Sequence, residues 1–102
     1  GGLLVPLNEH QTIMDLVSQL NVPLILVLGT YLGSINHSLL SISTAKQSNI
    51  EIAGVIFFGV RNEESERIIL KMSGVKRLGG VYPGEKITLE NIHIYSQQFK
   101  KL

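Results

Sequence analysis

The chain has 102 residues, 44% hydrophobic and 17% charged, which is enough for one core and too few for two ordinary domains. Nine basic residues nearly cancel eight acidic ones, and a net charge of +1 gives no electrostatic case for a nucleic-acid partner. There is no cysteine, so disulfides and thiolate metal sites are excluded. The opening GGLLVPLNEH lacks the basic region and long apolar core of a signal peptide, and the longest apolar run, Val22–Leu28, contains a proline and falls far short of a membrane span. The expectation is a cytoplasmic protein with no membrane partner.

In chain order, Thr12 can cap a helix with Asp15 three residues on, close to a capping box. Ile13, Leu16, Val17 and Leu20 follow at helical spacing, and Asn21 with Pro23 ends the helix. Leu24–Leu28 is apolar without alternation, which predicts a strand buried on both faces of a parallel sheet. A helix follows from about Ser34 to Ser48, with Ile35, Leu39, Ile42 and Ala45 on its buried side. Glu51–Phe58 reads as the next parallel strand, with an exit loop from Gly59 to Asn62. Glu63–Met72 reads as a helix, acidic early and basic late, with Gly74 as its terminator. Val75–Tyr82 is a weaker strand, Pro83-Gly84 a turn, and Thr88 caps a last helix that lines up Leu89, Ile92, Tyr95, Phe99 and Leu102. The basic pairs Lys76-Arg77 and Lys100-Lys101 read as solvated surface, as do Glu63-Glu64.

The order αβαβαβα with short connections is the pattern of a doubly wound, Rossmann-like parallel sheet with helices on both faces. Three strands are few for such a sheet, and Gly1-Gly2 stands ahead of an apolar stretch with no strand before it. The expectation is a single α/β domain over residues 1–102 that is incomplete at its amino-terminal side. Within it, Gly29 ends a strand, a short loop follows, and Gly33-Ser34 opens a helix with Asn36 and His37 in its first turn. Unpaired amides and the positive end of the helix dipole then meet at the sheet edge, where an anion can bind. His10 and His93 read as surface residues, and no pair of histidines has the spacing of a zinc site.

The segment Gly29–Leu40, G-T-Y-L-G-S-I-N-H-S-L-L, resembles the Gly-x-x-Leu-Gly-x-Ile-Asn-His-x-Leu-Leu motif of the dethiobiotin synthetase family. Gly1-Gly2 with Val5-Pro6-Leu7 resembles the end of that family's Glu-Gly-Ala-Gly-Gly segment. Val22-Pro23 with LILVLG, then Ile52–Ile56 and Leu78-Gly79, resemble its following link and strands, so the likeness runs through most of the chain, as a carboxy-terminal portion. It implies a P-loop NTPase-like fold and a homodimer that uses ATP and magnesium. The implied reaction carboxylates 7,8-diaminopelargonate with CO2 and closes the ring of dethiobiotin.

On the same resemblance, Gly33, Ser34, Ile35 and Asn36 hold the substrate carboxylate, and His37 orients the loop or faces an interface. Gly1 and Gly2 approach the substrate and nucleotide. Phe58 and Gly59 stand where the family has Asn-Asp to read adenine, and Tyr82 and Pro83 stand in its adenine-side loop. No Gly-x-x-x-x-Gly-Lys-[Ser/Thr] occurs, so no loop here cradles the ATP phosphates. The catalytic lysines and the carboxylates for magnesium belong, on the resemblance, upstream of Gly1, leaving no catalytic or metal residue in the chain and a segment inactive alone. The rival expectation is a non-catalytic α/β binding or interaction module derived from the P-loop fold.

Overall fold

The computed structural model describes residues 1–84 and 86–102. The chain opens on a loop in which Leu3 is buried, its carbonyl accepting from Met14 N–H at 2.8 Å while that of Val5 accepts from Ile13 N–H at 3.0 Å. Helix α1 (Ile13–Leu20) starts as expected: Thr12 N–H donates to Asp15 Oδ2 at 2.7 Å and Asp15 N–H returns a bond to Thr12 Oγ1 at 3.4 Å. It ends at Asn21, which takes the left-handed conformation with φ 50°. The buried stripe differs from the one expected. Met14 and Val17 pack against Leu3, Ala45 and Ile50, whereas Leu16 and Leu20 face outward.

Strands β1 (Leu24–Gly29), β2 (Ile52–Phe58) and β3 (Arg77–Val81) form one parallel sheet in the order β1-β2-β3, with Gly29 paired to Phe58 and Phe58 to Val81. Helix α2 (Ser34–Gln47) connects the first pair and α3 (Glu63–Ser73) the second. Strands laid down in one direction through right-handed crossovers put both connecting helices on the same face. The core lies there, around Leu28, Ile42, Val55, Phe57 and Ile69.

On the opposite face, helix α4 (Leu89–Ser96) and the 3-10 turn Gln97–Phe99 cover only the β3 side, with Phe99 and Gln98 over the space beside Gly79. Thr88 caps α4 as expected by accepting from Asn91 N–H at 3.1 Å. Of the row expected to be buried along this helix, Tyr95 and Phe99 are half-buried, while Leu89, Ile92 and Leu102 are exposed.

β1 is not buried on both faces. Its side chains alternate, with Leu28 inside and Ile25 and Val27 exposed, because α2 covers one side and no described element covers the other. In α2 the buried row is Ser34, Ser38, Ile42 and Ala45, and Ile35 is exposed rather than buried. Two serines against the sheet let the start of the helix sit close to β1, which rotates Ile35 outward. α3 runs as expected, and the left-handed Gly74 (φ 72°) closes it with its N–H on the Leu70 carbonyl at 2.9 Å. β3 is shorter than expected because Tyr82 leaves the strand direction and folds back across Gly80. The carboxyl ends of all three strands therefore deliver their loops to one edge, where ligands of open α/β sheets bind.

Candidate functional site

The loop after β1 is fixed to the sheet by Thr30 N–H, which donates to the Phe58 carbonyl at 3.1 Å. It then turns sharply, with Ser34 N–H on the Tyr31 carbonyl at 3.0 Å. Gly33 occupies the N-cap position of α2 at φ 94°, a conformation that L side chains seldom adopt, and no side chain caps the helix. The first regular helical bond is His37 N–H to the Gly33 carbonyl at 3.0 Å. Among the described residues, the amides of Gly33, Ile35 and Asn36 have no hydrogen-bond partner. These residues line a cavity of about 560 Å³, closed on its far side by Asn62 and Ser65 at the start of α3. Asn62 has its side-chain oxygen on Ser65 N–H at 3.0 Å, so the neighbouring helix is capped where α2 is open. The four residues expected to bind a carboxylate thus share one cavity, with three amides available and that of Ser34 already used.

A second cavity of about 460 Å³ lies beside this turn and brings Gly1 and Gly2 together with Gly29, Tyr31, His37 and Ser41. Here the structure adds a pair that the sequence reading passed over. Tyr31 Oη and His37 Nδ1 are 2.9 Å apart, and the imidazole lies against Gly33. Tyrosine and histidine six residues apart across a loop–helix junction carry no recognisable spacing signal.

The residues expected on the adenine side, Phe58, Gly59, Tyr82 and Pro83, gather at the ends of β2 and β3. Gly59 N–H donates to the Val81 carbonyl at 3.1 Å, and Phe58 is half exposed with its carbonyl held by Thr30. The Tyr82 hydroxyl donates to Glu66 Oε2 at 2.6 Å and accepts from Arg77 Nη2 at 3.0 Å. Arg77 Nε also donates to Glu66 Oε1 at 3.0 Å, and the Tyr95 hydroxyl donates to the Tyr82 carbonyl at 2.6 Å. Arg61 stands 5.7 Å above the Tyr82 ring. Pro83 is half-buried next to this cluster.

Arg77 stays partly open to solvent, as expected, but it is not a free charge, because the buried Glu66 is its counter-charge. Burial alone would lower the Arg77 pKa, but its bonds to Glu66 and Tyr82 outweigh that and raise it. Tyr82 is raised by burial and by the adjacent Glu66 carboxylate, against the pull of Arg77. Among the described residues no cluster of three or more His, Asp or Glu could hold a metal ion, and no helix is long and apolar enough to cross a membrane.

Residues 1–91 match the family model described as an AAA domain. The ATP-dependent dethiobiotin synthetase BioD of Cytophaga hutchinsonii is 52% identical over 96 residues, 94% of this chain and 47% of that protein. The corresponding proteins of Afipia carboxidovorans and Agrobacterium fabrum are 46% and 39% identical, over 88% and 97% of this chain and 43% and 47% of their own lengths. The chain spans about half the length of the curated relatives it matches. The three-stranded parallel sheet with its crossover helices agrees with a P-loop NTPase-like α/β fold, and the chain belongs to the AAA domain family, with dethiobiotin synthetases as its curated relatives.

Proposed function

We propose that this chain is the substrate-carboxylate half of an ATP- and magnesium-dependent dethiobiotin synthetase of biotin synthesis, acting on 7,8-diaminopelargonate and CO2 in the cytoplasm as a homodimer. The observation that carries the reading is the open first turn of α2, where the amides of Gly33, Ile35 and Asn36 are unpartnered among the described residues and the three residues line one cavity. A carboxylate there would accept charge-assisted bonds, each worth about 1.5–3 kcal/mol, and would sit at the positive end of the helix dipole. The substrate's chain would then extend away from the turn, leaving its two amines free for carboxylation and ring closure.

The chain itself has no glycine-lysine loop for phosphates and, among its described residues, no carboxylate cluster for magnesium, so no phosphoryl step is assigned to it. Gly1 and Gly2 would border the reacting end of the substrate. Phe58, Gly59, Tyr82 and Pro83 would border the base through apolar contact, because the Gly59 N–H and the Tyr82 hydroxyl and carbonyl are engaged internally. The isolated chain would then bind without turnover.

Calorimetry on the full-length enzyme tests the site. Ile35→Pro, which removes one of the three amide donors in the first helical turn where proline is tolerated, should weaken binding of the diamino acid several-fold while leaving ATP binding intact. Equal loss of both ligands would overturn the assignment.

A further inference from the structure

Beyond Thr30, which ties its start to β2, the loop that presents these amides is almost unsupported. Leu32 at its tip is fully exposed, Gly33 has no side chain, and no capping side chain ties the loop to α2. Tyr31 is the exception, because it is bonded at both ends. Its carbonyl takes Ser34 N–H at 3.0 Å, and its hydroxyl reaches over the turn to His37 Nδ1 at 2.9 Å. The two rings also pack, with centroids 5.6 Å apart, and the imidazole lies where a side chain at Gly33 would project, 3.5 Å from that position. One residue therefore clamps the beginning of the loop to the first and second turns of the helix.

We propose that Tyr31 is a positioning residue for the ligand's carboxylate. With His37 it forms a latch that holds the left-handed Gly33 turn open, so that the amides of Gly33, Ile35 and Asn36 converge on one anionic group. Such a latch replaces the N-cap side chain that would otherwise stiffen the turn by occupying those same amides. It also assigns His37 a task compatible with its position, which is to anchor the loop rather than to exchange protons with substrate. The hydroxyl can donate to or accept from Nδ1, so the contact suits either imidazole tautomer. This inference rests on the carboxylate site proposed above.

The test is Tyr31→Phe in the full-length enzyme, assayed with 7,8-diaminopelargonate and with a 7,8-diamine of the same length lacking the carboxylate. Losing one hydrogen bond that orders the turn should raise KM for the diamino acid about five- to tenfold. kcat, KM for ATP and the melting temperature should be unchanged, and the carboxylate-free diamine should lose nothing further. An unchanged KM for the diamino acid, or an equal loss with both diamines, would overturn the latch. If the unsubstituted enzyme fails to discriminate the two diamines, the carboxylate site itself falls, and the latch with it.

Discussion

Glu66 is the least expected charged residue in the chain, and it offers the sharpest test of how the edge at the end of β3 is built. Its side chain is 7% exposed and carries both Arg77 and the Tyr82 hydroxyl, tying α3 to β3 and to the loop beyond. Removing one partner of a buried pair costs about 3–5 kcal/mol. Two features reduce that figure for Glu66→Gln: glutamine keeps one acceptor oxygen, and the Arg77 side chain is 35% exposed, so water takes up part of the orphaned charge. The expected loss is about 2 kcal/mol, or about a 30-fold larger open population of this edge. Glu64→Gln is the control, since its pair with Arg67 is 79% and 58% exposed and should contribute under about 0.5 kcal/mol. Native-state hydrogen exchange reads the difference at the Gly59 amide, which is bonded to the Val81 carbonyl at the end of β3. The reasoning is refuted if Gly59 exchanges no faster in Glu66→Gln than in Glu64→Gln, or if β1 amides accelerate to the same extent.

Because the Tyr82 pKa is raised in the folded chain, its contribution is present below pH 10 and is lost as pH climbs through the folded value. Alkaline unfolding should therefore be steeper above pH 10 in the unsubstituted chain than in Tyr82→Phe, and matching pH profiles would remove Tyr82 as the cause. At Gly33 the positive φ predicts a split between two substitutions that add the same Cβ: Gly33→Ala should destabilise by about 1–2 kcal/mol, and Gly33→Asn by clearly less, because asparagine tolerates the left-handed region. Urea melts of the two variants check this, and equal costs would show that the position tolerates either backbone.

Much of the architecture was legible because local chemistry is strong where elements begin and end. The Thr12–Asp15 capping box, the Thr88 cap and the Gly74 terminator each act within four residues, so spacing alone exposes them. Burial was less legible, because it depends on what lies across from an element. LILVLG has the composition of a doubly covered strand, yet Ile25 and Val27 are open, since coverage is a property of neighbours rather than of the strand. In α2 the expected row ran through Ile35, whereas Ser34 and Ser38 are the residues buried there. Their small size suits close approach to the sheet, which an apolar spacing pattern does not register. Glu66 was invisible for a third reason. It sits among the acidic residues of a helix start, where the dipole accounts for it, and its real partners are 11 and 16 residues further on.

The open start of α2, where the carboxylate site is proposed, was legible for a physical reason that separates it from all of these. α1, α3 and α4 begin on Thr12, Asn62 and Thr88, each accepting from an amide of the first turn, whereas α2 begins on a glycine that caps nothing. A serine, threonine or asparagine cap is worth about 1 kcal/mol, so the open turn is the less stable choice at that helix. The site lies at the carboxyl edge of a parallel sheet, beside two loops whose polar atoms are largely consumed internally. An uncapped helix in that setting has unsatisfied donors, a positive dipole end and room for an occupant. At Gly33–Asn36 the chain departs from the stabilising rule that the other three described α-helices follow, and that departure is the mark the proposed site leaves in the sequence.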